Sequence, residues 1–322
     1  MNPAEVRQAS TLLGEAGHVA VATHERPDGD AIGSMLAMVL GLQRAGKRAT
    51  PVLAGGLPGR FRFLPGSEQV RGSLPADAQV LVAVDTADLE RLDLKLPPDR
   101  LVDLNLDHHP TNTRFARLNL VDERAAATTE VILDLAPDLG LPLDEHIAAN
   151  LLTGLVTDTL GFRTASVRPQ TFLRAARLME LGADLSSLYA QALVHRSFAA
   201  IRYWGRGLTR LERQDGLIWA SLSLQDRTQA GYPGPDDADL IDVLTTIREA
   251  DIALIFVEQS DGKIKVSWRA RRGYDVAALA GQFGGGGHTL AAGAVVSGEL
   301  EPVMRQVLAA TQAALAAQPR EG

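Results

Sequence analysis

The sequence predicts an α/β protein of two domains, in which a mostly parallel sheet flanked by helices precedes a smaller α/β domain. At 322 residues the chain is longer than one hydrophobic core usually supports. In its first half, short apolar runs that suit buried parallel strands alternate with segments of helical periodicity. We expect the first domain at residues 1–185, a helical linker at 186–206 and the second domain at 207–322.

Composition and charge limit the functions that the chain can have. Hydrophobic residues make up 46% and charged residues 22%, which is typical of a folded soluble protein. No apolar run reaches membrane-spanning length and the start lacks the pattern of a secretion signal, so we expect a cytoplasmic protein. The absence of cysteine excludes disulfides, thiolate zinc sites and a cysteine nucleophile. A net charge of −7 argues against a large DNA-binding face but leaves room for a local basic pocket that holds a small anion.

Each expected element of the first domain rests on a local pattern. Helices are expected where apolar residues recur every three or four positions, and strands where apolar residues follow one another. The run that ends at Val84 is the clearest strand, and Gly182 is a good C-cap for the last helix. Helices are thus predicted at 4–16, 31–45, 123–135, 144–157 and 169–181, and strands at 19–22, 49–53, 80–84 and 101–106.

The same patterns continue in the second domain. Ser260-Asp261-Gly262 is a turn sequence between two apolar runs. Strands are predicted at 217–222, 252–257 and 263–268, and helices at 239–248 and 276–283.

The loop after the first strand carries the first polar cluster. His24, Asp28 and Asp30 lie between a predicted strand and a predicted helix, which is where ligands bind in open α/β sheets. Aspartates also form turns and cap helices, but capping explains one aspartate and not the whole His-x3-Asp-x-Asp arrangement. The cluster is therefore predicted to bind a ligand.

Polar side chains recur at the ends of later elements. Asp85 follows the strand at 80–84, and Asp107, His108 and His109 follow the run at 101–106. A His-His pair by itself is more often satisfied by hydrogen bonds or exposed on a loop, so its recurrence beside other clusters is the argument for a ligand site. Asp158 ends a predicted helix, where the helix dipole disfavours an anion unless a cation is near.

These segments together suggest a metal centre. Six groups suit two divalent ions that share one bridging carboxylate, the usual apparatus for phosphoester hydrolysis. Imidazole and carboxylate without sulfur favour Mn²⁺, with Mg²⁺, Co²⁺ or Fe²⁺ as alternatives. The six candidate metal ligands are His24, Asp28, Asp30, Asp85, His108 and Asp158.

A glycine run marks the second domain. Four glycines, Gly284 to Gly287, precede His288, and glycine lets backbone N–H groups approach an anion closely. A bare glycine run is otherwise read as a flexible loop. A basic cluster nearby in the sequence, made of Arg269, Arg271 and Arg272, favours the anion-binding interpretation.

The ordered metal-ligand set resembles the DHH phosphoesterase superfamily. The residues on which this resemblance rests are His24-x3-Asp28-x-Asp30, Asp85, Asp107-His108-His109 and Asp158. Within that superfamily, the chain resembles the short oligoribonucleases (nanoRNases) and pAp phosphatases of the NrnA type. This finer likeness lies in the segments 109–115, 128–130 and 154–161, and in the segments 266–269, 283–288 and 291–293, which are similar to the DHH-associated C-terminal domain.

The resemblance implies roles for individual residues. Asp85 would bridge two ions, of which one is completed by His24 and Asp28 and the other by Asp30, His108 and Asp158. The catalytic set would be Asp85, His108, His109 and Asp107, with His109 on the scissile phosphate and Asp107 orienting a neighbouring histidine. The substrate-binding set would be His109, Arg114, Arg269, Gly285, Gly286, Gly287 and His288, with the active site in the interdomain cleft.

The function implied is hydrolysis of short oligonucleotides, about two to five nucleotides long, to nucleoside 5′-monophosphates, with pAp phosphatase activity beside it. The resemblance also suggests a homodimer. No membrane partner is expected, because no apolar run reaches membrane-spanning length. No long duplex DNA partner is expected either, because long nucleic acids need an extended basic groove.

Three alternatives are open at this stage. The nearest is a phosphodiesterase for cyclic or linear dinucleotides of the c-di-AMP or pApA type, which would use the same catalytic centre. The second is a catalytically silent nucleotide-binding regulator, which the full ligand set disfavours. The third, a dinucleotide-dependent oxidoreductase, is weak because the first strand-turn-helix lacks Gly-x-Gly-x-x-Gly.

Overall fold

The computed structural model describes residues 1–97, 99–271 and 273–317. The chain divides into two compact units, Met1–His195 and Arg196–Gly322. The segment 186–206 is mostly helical and lies on both sides of that division, and its role as a linker stays a prediction. Arg272 of the basic cluster lies outside the described residues. Within the described ranges, no helix combines the length and the apolar character that crossing a membrane requires.

The first unit contains a five-stranded parallel sheet with strand order β2-β1-β3-β4-β5. The strands are β1 (His18–Ala22), β2 (Arg48–Val52), β3 (Val80–Val84), β4 (Leu104–Asp107) and β5 (Leu118–Val121). The helices are α1 (Pro3–Glu15), α2 (Gly29–Arg44), α3 (Thr128–Leu135), α4 (Glu145–Asp158), α5 (Pro169–Glu180) and α6 (Leu185–Tyr189). Short 3₁₀ turns occupy Gly59–Phe61 and Ser67–Gln69, and a π-helical turn occupies Ala190–Val194.

Both faces of this sheet are covered, which explains why its central strands are continuously apolar. In β1, Val19 and Val21 join the large core made with the helices, while Ala20 and Ala22 face a smaller core on the opposite side. Irregular segments supply the cover on that second side, for example through Leu92. Every residue of β1 and β3 is buried as a result.

The strand order places a switch point between β1 and β3. The chain leaves β1 towards β2 on one side and later returns to β3 on the other side. In such sheets a crevice opens at the carboxyl ends of the two strands, where ligands bind. The loops after β1 and β3, which carry His24 and Asp85, meet at this crevice.

The second unit contains a six-stranded mixed sheet with strand order β10-β11-β9-β8-β7-β6, in which β7 and β8 run parallel. The strands are β6 (Glu212–Gln214), β7 (Leu217–Leu222), β8 (Ile252–Glu258), β9 (Lys263–Ala270), β10 (Gly286–His288) and β11 (Ala291–Ser297). The helices are α7 (Phe198–Leu208), α8 (Leu224–Ala230), α9 (Leu240–Leu244), α10 (Val276–Gly281) and α11 (Leu300–Ala317).

Helices cover both faces of the second sheet. Trp268 of β9 faces the core formed with α10 and α11, whereas Ile255 of β8 faces the core formed with α7, α8 and α9. Together the two units confirm the predicted α/β class, with a parallel sheet first and a smaller α/β unit second.

Several element boundaries differ from the sequence prediction. The helix expected from residue 123 begins at Thr128, and the strand expected from 101 begins at Leu104. The glycine run, for which a flexible loop was the competing interpretation, forms part of β10. The elements that the sequence patterns did not predict are β5, β6, α8, β10, β11 and α11.

Candidate metal centre

The six predicted metal ligands come together at the carboxyl edge of the parallel sheet. Their ligand atoms form one group from His24, Asp28 and Asp85 and a second group from Asp30, His108 and Asp158. The atoms of each group lie within 4.8 Å of one another. A third group joins Asp85 to the two histidines that follow β4, His108 and His109, so Asp85 belongs to two of the three groups.

Asp28 is both a helix cap and a member of the first group. Its Oδ1 accepts hydrogen bonds from the backbone N–H groups of Asp30 and Ala31, each at 3.0 Å, at the start of α2. Capping therefore engages one carboxylate oxygen, and a carboxylate has two. The capping and metal-binding interpretations of the sequence are thus compatible.

Asp30 caps a helix other than its own. The N-cap residue of α3 is Ala127, which has no side-chain oxygen to accept the first N–H groups of that helix. Asp30 takes this role from α2: its Oδ2 accepts from the Thr128 N–H at 2.6 Å and its Oδ1 from the Thr129 N–H at 3.0 Å. This contact fixes the carboxylate and explains why α3 begins at Thr128.

Hydrogen bonds at Nδ1 set the orientation of the histidines. His24 Nδ1 lies 2.7 Å from the Glu25 carbonyl oxygen, and His108 Nδ1 lies 3.3 Å from the Ala125 carbonyl oxygen. Each Nε2 then faces carboxylates: His24 lies 3.6 Å from Asp85, and His108 lies 3.8 Å from Asp85. An imidazole whose far nitrogen is anchored in this way is the usual form of a metal ligand.

Asp85 occupies the centre with an unusual backbone. Its φ of +53° is left-handed, a conformation that aspartate tolerates better than most residues and that is common at functional sites. Its side chain is buried, and Oδ1 accepts a hydrogen bond from the Thr128 hydroxyl at 2.8 Å. Burial would raise the pKa of Asp85, but the hydrogen bond with His24 and the charge of His108 hold it well below its usual range.

The remaining pKa shifts show that the carboxylates crowd one another. Burial and the charge of Asp85 raise the pKa of Asp30 to about 7, and burial with Asp30 raises that of Asp158 well above its usual value. Burial would lower the pKa of His24 and His108, but the neighbouring carboxylates raise both to about 9. The buried carboxylates thus favour the protonated form of both histidines.

Divalent cations fit this donor set. They would replace the histidine protons and relieve the repulsion among the aspartates, since metal binding and proton release are coupled. They would also offset the unfavourable position of Asp158 as the last residue of α4, where the helix dipole is negative.

Asp107 lies beside the metal groups and is in none of those found among the described residues. It is fully buried, with His109 Nδ1 at 2.7 Å from Oδ1 and the Asn112 amide donating to Oδ2 at 2.5 Å. The same Asn112 amide donates to Asn105 Oδ1 at 2.8 Å. Asp107 thus contacts His109, and its role in orienting that histidine stays a prediction.

Arg114 follows this network on the exposed loop before β5. Its φ is +54°, and its N–H donates to Asn112 Oδ1 at 2.7 Å. The Asn119 amide donates to the Arg114 carbonyl oxygen at 3.3 Å. Asn112 thus connects the loop of Arg114 to Asp107, which contacts His109.

The other predicted substrate residues lie in the second unit. Arg269 of β9 and His288 of β10 both pair with Ala291 of β11, so the three side chains lie on one face of the sheet. Two strand spacings separate Arg269 and His288, roughly 10 Å. The Arg269 Nε atom also lies 3.8 Å from the Asp242 Oδ1 atom of α9.

The glycines before His288 have a structural reason of their own. A Cβ at Gly285 would lie 2.6 Å from the Ala294 Cβ, and a Cβ at Gly287, whose φ is +146°, would lie 2.6 Å from the Ala292 Cα. Both positions need glycine because β10 lies so close to β11. Gly286 between them has open space, and the anion-binding role of the run stays a prediction.

Thr128 and Asn112 are the two site residues whose roles sequence reasoning missed. Both lie in segments that resemble the NrnA type, but the sequence assigned neither a contact. The sequence carried no signal for the Asp30 cap, because the helix was predicted from residue 123 and its start after Ala127, a residue without a capping side chain, is seen only in the structure.

Comparison with known proteins defines the class. Residues 18–155 match the DHH family, N-terminal domain, and residues 228–317 match the DHHA1 domain. The chain belongs to the DHH family of phosphoesterases.

Several relatives and one solved structure are similar to most of this chain. The chain is 35% identical over 309 residues to the bifunctional oligoribonuclease and PAP phosphatase NrnA of Thermus thermophilus, covering 94% of this chain and 92% of that protein. It is 26% identical over 288 residues to the protein of the same name from Bacillus subtilis, covering 85% and 87%. In fold it is similar to an exopolyphosphatase-related protein from Bacteroides fragilis, with a TM-score of 0.86 at 23% identity, covering 98% and 96%. The family resemblance inferred from the sequence is confirmed.

Proposed function

We propose that this protein is a metal-dependent phosphoesterase that hydrolyses oligonucleotides of about two to five nucleotides to nucleoside 5′-monophosphates. The observation that carries the proposal is the gathering of two histidines and four aspartates in two groups at one edge of a parallel sheet. The substrate class follows the names of the relatives, which combine oligoribonuclease and PAP phosphatase. We propose pAp, cleaved to AMP and phosphate, as a second substrate.

Two ions would suit the two groups. His24, Asp28 and Asp85 would hold one ion, and Asp30, His108 and Asp158 would hold the other, with Asp85 as the shared ligand. The mixture of imidazole and carboxylate favours Mn²⁺, with Mg²⁺, Co²⁺ or Fe²⁺ as alternatives. When bound, the pair would acidify the attacking water and stabilise negative charge on the phosphoryl oxygens.

The protein's own residues prepare the site for this reaction. The backbone carbonyls at Nδ1 hold His24 and His108 in fixed orientations, so little rearrangement is needed when ligands bind. We assign His109 to the scissile phosphate, because its ring is held by the buried Asp107 through Nδ1. We assign Arg114 to the substrate on the strength of the bracing of its loop by Asn112.

The second unit would recognise a further phosphate of the substrate. Arg269 and His288 share one face of the mixed sheet, and the small side chain of Ala291 lies in register between them. A guanidinium and an imidazole separated in this way suit a phosphate bound between them, since charge-assisted hydrogen bonds to phosphate are strong. Gly285, Gly286 and Gly287 would add backbone N–H groups.

The charge of the chain favours short substrates. A processive exonuclease needs an extended basic groove with stacking platforms, which a chain of net charge −7 is poorly suited to provide. We therefore propose no stable binding of long duplex DNA. A homodimer and a cytoplasmic location stay predictions of the sequence.

Turnover of substrates of graded length tests this function. Purified protein with Mn²⁺ would be incubated with 5′-labelled RNAs from two to about 24 nucleotides, beside pAp and a cyclic dinucleotide. We expect rates that are highest for the shortest linear RNAs and fall steeply with length. Preferential hydrolysis of the cyclic dinucleotide would support the alternative phosphodiesterase, and binding without turnover would support a silent regulator.

A further inference from the structure

The first turn of α3 contacts carboxylates from both metal groups. Thr128 donates its N–H to Asp30 at 2.6 Å and its hydroxyl to Asp85 at 2.8 Å. Asp30 and Asp85 come from α2 and from the end of β3, so one residue ties together two segments that are far apart in the sequence.

The contact is dry and its direction is fixed. Thr128, Asp30 and Asp85 are each at most 3% exposed, so water has little access to substitute for the hydroxyl. The threonine hydroxyl is the donor, and the Asp85 Oδ1 atom is the acceptor, of a hydrogen bond of 2.8 Å. The hydroxyl thereby occupies one side of Oδ1 and sets the rotation of the carboxylate about its Cβ–Cγ bond.

Thr128 therefore sets two variables of the metal centre: the distance between the two aspartates, and the direction in which Asp85 presents its lone pairs. Carboxylate ligands in metal sites are commonly held by such outer hydrogen bonds, and loss of one typically weakens metal affinity or activity by about ten- to a hundredfold.

We propose that Thr128 is a positioning residue of the metal centre, which orients Asp85 as the shared ligand and fixes its distance from Asp30. The inference rests on the proposed function, because it supposes that metal ions occupy the two groups. Thr128 itself would touch neither the substrate nor the reacting atoms.

Isosteric substitution separates the hydroxyl from the rest of the side chain. Thr128→Val keeps the shape and the N–H that caps onto Asp30 but removes the donor to Asp85, whereas Thr128→Ser keeps the donor. Thr23→Val is the matched control, because Thr23 is buried beside His24 and its hydroxyl has no hydrogen-bond partner among the described residues.

The measurements are Mn²⁺ binding by calorimetry and by electron paramagnetic resonance on protein without substrate, followed by kinetics at increasing Mn²⁺. For Thr128→Val we expect about ten- to a hundredfold weaker Mn²⁺ binding, with near wild-type affinity in Thr128→Ser and Thr23→Val. At saturating Mn²⁺, kcat of Thr128→Val should recover while KM for a dinucleotide stays unchanged. A role in folding alone would instead lower the active fraction at every Mn²⁺ concentration.

Each outcome decides a separate claim. If wild-type protein fails to bind Mn²⁺, the proposed function fails. If wild-type protein binds Mn²⁺ and Thr128→Val binds it equally well, the positioning role is wrong while the proposed function stands. Equal losses in Thr128→Val and Thr128→Ser would also overturn the role, because the serine retains the donor.

Discussion

Gly154 packs tightly beside the metal centre, and substitution of this glycine by alanine should test the construction of the site. Gly154 lies on α4 against the start of α2 and α3. An added Cβ would lie 2.5 Å from the Thr129 Cγ2, 2.7 Å from the Asp30 Oδ1 and 3.0 Å from the Asp30 Cα. The methyl group thus meets both the backbone and the carboxylate of a proposed ligand.

Two opposing effects set the size of the change. Alanine in a helix interior is favoured over glycine by about 1 kcal/mol. Overpacking a core commonly costs about 1–3 kcal/mol of stability. We place the cost at Gly154 near the upper end of that range, because Asp30 is fully buried and is hydrogen-bonded to the start of α3. We expect Gly154→Ala to lower the free energy of unfolding by about 1–2 kcal/mol, and to weaken Mn²⁺ binding because Asp30 must shift.

Urea unfolding of the metal-free protein and calorimetric Mn²⁺ titration measure both effects. Gly14→Ala is the matched control: Gly14 lies in α1 and has open space where a Cβ would be placed. That variant should gain up to about 1 kcal/mol and bind Mn²⁺ normally. The packing argument is refuted if Gly154→Ala is as stable as Gly14→Ala and binds Mn²⁺ like wild type.

Three further predictions follow from the site. Asp85→Asn should leave less than about a tenth of wild-type hydrolysis at saturating Mn²⁺, and asparagine is chosen because it also tolerates a positive φ. A higher rate of hydrolysis would speak against Asp85 as a ligand that both ions share. Arg269→Ala should lower kcat/KM on pApA by about ten- to a hundredfold but affect bis-p-nitrophenyl phosphate much less, and equal losses would place Arg269 elsewhere. The pKa values of His24 and His108 are raised to about 9, and those of Asp30 and Asp158 are raised as well, so these ligands carry protons at pH 7. Mn²⁺ binding at pH 7 should therefore release about two protons from the histidines and a further contribution from the two aspartates, and fewer protons as the pH rises past 9. Calorimetry in buffers of different ionisation enthalpy measures this release, and none at pH 7 would contradict the assignment.

The sequence predicted that the six candidate ligands would lie close together, because parallel sheets bring strand ends together. Asp85 directly follows β3, Asp107 is the last residue of β4, and the two strands are neighbours in the sheet. Once the strands were recognised, proximity of these side chains followed from the topology of open α/β sheets. That reasoning needs only local patterns.

Contacts between distant segments could not be predicted in the same way. The start of α3 depends on Asp30, which lies 98 residues before Thr128 in the chain. Local periodicity extended the helix back to residue 123, because the alanines before Thr128 are good helix formers. The true boundary is set by a carboxylate that is present only in the folded protein.

The strand formed by the glycine run could not be predicted from local sequence either. Four consecutive glycines have low intrinsic strand preference, so a loop was the local alternative. Gly286–His288 form β10 because β11 lies beside them, and the register of that pairing places His288 and Arg269 on either side of Ala291. Only the paired strand supplies this information.

The central claim is that two metal ions act together on a short nucleic acid, and a joint titration tests it most directly. Protein stripped by chelation would receive Mn²⁺ in steps, with bound metal and hydrolysis of a dinucleotide measured on the same samples. We predict no hydrolysis in the stripped protein, about two ions per chain at saturation, and activity that follows occupancy of the second ion. Full activity in excess chelator, or at one bound ion per chain, would contradict the claim.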